Sequence, residues 1–213
     1  MGYIMSLQKK LFVALVIVAA VALWLLLAGP VNIVGIDTGQ AGMALLVSVA
    51  WIAVYAVARM PAGGIEKTIS PGEWKAWTGL GFAAVVGAYA LAHAQVFDGP
   101  SMWHNPDANR VGRNIAMLVI AWAVLSQVLQ RRWKDGVQRD ERDRDIATRA
   151  SGWARGTLSG YAIGLAVLLG FTPAERLAWA PPPMIAQMLV LGLILSCLVE
   201  YAVTAVSYWR DRH

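Results

Sequence analysis

Met184–Trp209 reads MIAQMLVLGLILSCLVEYAVTAVSYW, a run of 26 residues in which Glu200 is the one charged side chain. A helix that is apolar on every side has no water-facing surface to offer. The hydrocarbon core of a bilayer is about 30 Å thick and asks for roughly 20 such residues to cross it. Outward from this run, five more stretches have the same character: Leu11–Gly29, Met43–Ala58, Ala76–Gln95, Asn114–Gln130 and Gly152–Phe171. The chain is therefore expected to be an all-α polytopic membrane protein with six transmembrane helices.

Composition agrees. Of 213 residues, 58% are hydrophobic and 15% charged, against about 25% charged in an average soluble domain. The net charge of +5 could suggest nucleic acid, but the placement of the charges argues for threading instead. Lys9, Lys10, Arg59, Lys67, Lys75, Arg131, Arg132, Lys134, Arg139, Arg142, Arg144, Arg149, Arg155, Arg210 and Arg212 fall on one side of the predicted spans. Arg110, Arg113 and Arg176 fall on the other. Basic residues collect in cytoplasmic loops, so both termini are expected in the cytoplasm, with no direct nucleic-acid contact. The first apolar run is longer than the core of a signal peptide, and Ala28-Gly29-Pro30 is a poor cleavage site. It is expected to remain as a helix.

Punctuation along the chain divides it. Met60-Pro61-Ala62-Gly63-Gly64 breaks the pattern after Arg59, giving an N-terminal helix pair over 1–60 and a four-helix domain over 61–213, with a charged linker at 131–150. Ser70-Pro71-Gly72-Glu73 and Thr172-Pro173-Ala174-Glu175 both read as capping boxes. The segment 138–150 pairs Asp140 with Arg144 and Asp145 with Arg149 at helical spacing, as a water-exposed helix would. Ile115–Gln130 and Ile185–Glu200 share a faint internal likeness, as a duplicated hairpin would produce.

Three groups of residues stand out. Gly152, Gly156, Gly160 and Gly164 recur every four positions along the fifth span, a spacing that lets another backbone approach closely. They are expected to be a helix-packing or dimer face, within the chain or against a second copy. Glu200 lies inside the sixth span, where an uncompensated charge costs several kcal/mol. Arg155 is its expected mate, with Tyr161, Tyr201, Ser196 and Thr204 as further polar candidates. The acids of 135–145 are interleaved with arginines and lack the downstream aspartates of a membrane phosphotransferase. No nucleophile elbow or phosphate loop is present either. His93 and His104 have no ligand spacing around them, and Cys197 stands alone. No enzyme, metal site or cofactor is expected.

Residues 67–212 resemble a family of small bacterial multi-pass membrane proteins of unknown function. The likeness rests on Ser70–Trp77, on Asp140-Glu141-Arg142-Asp143-Arg144-Asp145-Ile146, similar to that family's Asp-Glu-Arg-Asp-x-x-Ile signature, and on Glu200 with Tyr208-Trp209-Arg210. The N-terminal pair lies outside it. The resemblance implies the bacterial inner membrane. It also implies a cytosolic transcription regulator as partner, because many relatives are encoded beside a helix-turn-helix protein.

The expected function is a membrane-embedded sensor or regulator whose segment Asp140, Glu141, Arg142, Asp143 and Arg144 docks a cytosolic protein. The alternative is a small oligomeric transporter or channel built on Glu200 and Arg155. Membrane lipids are partners under either reading. The threading makes one direct prediction: a reporter active only in the periplasm is inactive when fused after Gly136 and active when fused after Pro100.

Overall fold

The computed structural model describes residue 14 and residues 17–26, 32–33, 36–59, 71–100, 104–132 and 141–211. The Lys9-Lys10 flank, Pro30, the breaker at 60–64, Ser70 of the first capping box, and Gly136 and Asp140 of the linker lie outside these residues. The fold is all-helical apart from a minimal ladder. Helix α1 covers Ile17–Leu26, and two-residue strands β1 (Asn32–Ile33) and β2 (Ile36–Asp37) pair antiparallel, Asn32 with Asp37 and Ile33 with Ile36. Then follow α2 (Thr38–Arg59), α3 (Pro71–Ala92), α4 (Pro106–Arg132), α5 (Glu141–Phe171) and α6 (Pro182–Arg210). Short 3₁₀ turns occupy Ala94–Asp98 and Ala174–Trp179.

The chain forms two units, 1–61 with 118–132, and 62–117 with 133–213. The sequence reading had kept 118–132 with the second. In the first unit Ala22, Leu26, Thr38 and Met43 are buried. Gly42 lets α2 meet α1 backbone to backbone, since a Cβ there would lie 2.7 Å from the carbonyl of Ala22 and the amide of Leu26. Helix α2 starts five residues before the expected span, and the ladder lies between the first two expected spans.

The second unit is organised by α6, which packs along both α3 and α5. Its contacts with α3 recur every seven residues along α6 and every seven or eight along α3. A Cβ on Gly79 would lie 2.5 Å from the Tyr201 ring, Gly72 receives the Tyr208 hydroxyl, and Gly87 faces Ile194. A period of seven keeps one stripe of a helix against its neighbour. Since Gly72, Gly79 and Gly87 ascend while Tyr208, Tyr201 and Ile194 descend, the two helices run antiparallel.

On its other side α6 is joined to α5 by hydrogen bonds. Tyr161 donates to the Met188 carbonyl (2.9 Å), Ser196 to the Ala154 carbonyl (3.0 Å) and Tyr208 to Asp143 Oδ1 (2.7 Å). This pair is antiparallel too, and Tyr161 lies over Gly192, whose absent Cβ would be 2.5 Å from the ring. Cross-helix bonds of this sort are worth about 0.6 kcal/mol on average in lipid, up to about 1.7.

At the far end of the unit, Tyr89 accepts from buried Asn114 (2.9 Å), and buried Gln187 donates to the Ala90 carbonyl (3.3 Å). Asn105 caps α4: its Oδ1 accepts from the Ala108 amide (3.0 Å) and its Nδ2 donates to the Val96 carbonyl (2.8 Å). With Pro106 in the first helical position, α4 begins eight residues before the expected Asn114.

Several expectations are corrected. Gly152, Gly156, Gly160 and Gly164 meet no other helix among the described residues of their unit: a Cβ on any of them finds no such atom within 4 Å. The seam with α6 instead uses the face of Ile146, Ala150, Ala154 and Leu165, all buried. Thr172 does not cap the following turn but donates back to the Leu168 carbonyl (2.5 Å), while Pro173 holds the cap position without a side-chain bond. Asp145 and Arg149 form no ion pair among the described residues; the pairs there are Arg110–Asp107 and Arg142–Asp211.

Among the described residues three helices are long and apolar enough to cross a membrane: Gly72–Ala92, Glu141–Phe171 and Pro182–Arg210. Only 11% of the apolar window of the second and of the third is buried within the chain. Exposed apolar faces of that extent exceed what a water-soluble monomer carries, so the structure points to association with a membrane.

The packing makes a paired prediction. Gly79→Ala drives a methyl into the Tyr201 ring and is expected to cost about 1–3 kcal/mol. Gly156→Ala meets nothing and is expected to be neutral or stabilising by up to about 1 kcal/mol. Thermal unfolding of the two variants in detergent checks both.

Candidate functional site

The densest polar cluster lies where the C-terminal turns of α6 meet the start of α3 and of α5. Glu73 is 2% exposed, and Trp77 Nε1 one turn on donates to its Oε1 at 3.4 Å. Gly72 beside it has no side chain, so the Tyr208 hydroxyl passes close to α3 and reaches Asp143 on α5. Tyr208 therefore touches all three helices. One residue earlier on α5, Arg142 grips Asp211 just beyond α6, with Nε at 3.1 Å and Nη2 at 2.9 Å from the same carboxylate oxygen.

What this cluster does chemically is to hold. Two neighbouring residues of the expected docking segment, Arg142 and Asp143, spend their side chains on fixing the N-terminal turns of α5 to the end of α6. Ile146, one turn on, is buried in the same seam. Glu141 and Arg144 are exposed, as are Asp145 and Arg149. Asp140 lies outside the described residues. Among the described residues no group of three or more histidine, cysteine or acidic side chains is arranged to hold a metal ion.

The residues expected to form an intramembrane site do not come together. Arg155 is exposed, and its Nε donates to the Ser151 carbonyl at 3.3 Å, so the side chain reaches back toward the start of α5. Glu200 is exposed on α6 and makes no ion pair with Arg155. The antiparallel register explains the mismatch. Ser196 bonds Ala154 and Tyr208 bonds Asp143, which sets Glu200 level with Ala150 and Ser151. Tyr161 and Tyr201 are engaged in helix packing over Gly192 and Gly79.

On the outer face of α5, Arg149, Gly152, Trp153, Gly156 and Thr157 line an open groove of about 540 Å³. Trp153 is 62% exposed, and Thr157 returns its hydroxyl to the Trp153 carbonyl (2.9 Å). Arg149 makes no hydrogen bond or ion pair among the described residues. The sequence reading took Gly152 and Gly156 as a packing or dimer face without Arg149, Trp153 or Thr157, and it missed the Tyr208 cluster. A signal for the cluster was present: Gly72 and Gly79 are seven apart, as are Tyr201 and Tyr208.

No protein-family model, no curated protein and no solved structure matches this chain.

The cluster is open to a direct test. Tyr208→Phe removes a hydrogen bond to a charged acceptor and is expected to lower stability by about 1.5 kcal/mol. Asp143→Asn keeps an acceptor oxygen and is expected to cost less. Comparing their unfolding temperatures in detergent with that of the unaltered protein measures the order.

Proposed function

We propose that this chain is a membrane-embedded sensor or regulator without catalytic activity that presents the first turns of α5 to a cytosolic protein. In this reading six helices cross the bacterial inner membrane, both termini lie in the cytoplasm, and 1–60 is an added helix pair.

The observation that carries it is the length of α5 together with its anchoring. Its 31 residues span about 46 Å at 1.5 Å per residue, whereas the hydrocarbon core takes about 30 Å. Some ten residues are left over. If the end rich in charge is the one left in water, Glu141 to about Ser151 form a stub of rigid helix beyond the lipid. Asp143 and Arg142 fix that stub to α6, while Glu141, Arg144 and Asp145 face outward. A surface already held in shape saves the ordering cost of binding.

The register supports the same placement. Arg155, about one turn below the stub, reaches back toward Ser151 as a basic side chain does when it carries its charge out of hydrocarbon. Glu200, level with the foot of the stub, then sits near the headgroups, where a carboxylate is tolerable. The resemblance of 67–212 to the small bacterial family adds a transcription regulator as the kind of partner.

A photo-crosslinking residue at Arg144 or at Asp145, in cells making the full chain, is expected to trap a cytosolic protein. The same residue at Phe171, at the opposite end of α5, should not. Tyr208→Phe, which loosens the stub, is expected to reduce the product severalfold. Equal products at Arg144 and Phe171, or none at either, would refute the docking role.

A further inference from the structure

We draw no further inference here: the strongest candidate, the two buried carboxamides at the far end of the second unit, spends Gln187 on the Ala90 carbonyl and Asn114 on the Tyr89 hydroxyl, and nothing among the described residues shows what their remaining polar atoms would bind.

Discussion

The second unit depends on aromatic rings laid directly against glycines. Within lipid no hydrophobic force drives one apolar helix onto another, and association relies on close contact and on cross-helix hydrogen bonds. Tyr201 on Gly79, Tyr208 against Gly72 and Tyr161 over Gly192 supply that contact, because each missing Cβ lets a flat ring approach a backbone. The hydroxyls of Tyr161 and Tyr208 then find acceptors on the neighbouring helix, at Met188 and at Asp143. A single residue type thus provides both dispersion contact and a directional bond. This is why α6, which carries two of the three tyrosines, is the helix on which the others pack.

Three of the six expected spans return as helices long and apolar enough to cross a membrane, and they were legible because that property is written in composition, one residue at a time. The packing was not, because it is written in pairs. Glycines every four residues on α5 made the more visible pattern, yet they meet no described residue of the unit, while Gly72 and Gly79 do the packing. Nothing in either helix alone says that Tyr208 and Tyr201 stand opposite them. The start of α4 was misplaced for a related reason: Asn105 acts as a cap only because its amide also reaches the Val96 carbonyl across the preceding loop.

Glu200 and Arg155 show the same limit in electrostatics. Their spacing in sequence allowed a buried ion pair, but the level at which two helices meet is fixed by Ser196 on Ala154 and Tyr208 on Asp143. That level carries Glu200 up beside Ser151 and leaves Arg155 to turn toward the same carbonyl from below. The segment from Asp140 to Arg144 was singled out as one patch, and its described side chains, from Glu141 on, turn out to be divided between two tasks. Arg142 and Asp143 fasten the helix, and Glu141 and Arg144 remain at its surface.

The arrangement of α3 and α5 on either side of α6 bears on how the chain is assembled. Of the three, the helix that joins the other two is the last to leave the ribosome. Until it arrives, α3 presents Gly72 and Gly79, and α5 presents Ala154 and Asp143, with no mate to receive them. Biogenesis of this unit is thus a waiting process, in which earlier segments must be kept apart or sheltered until a late arrival closes the bundle.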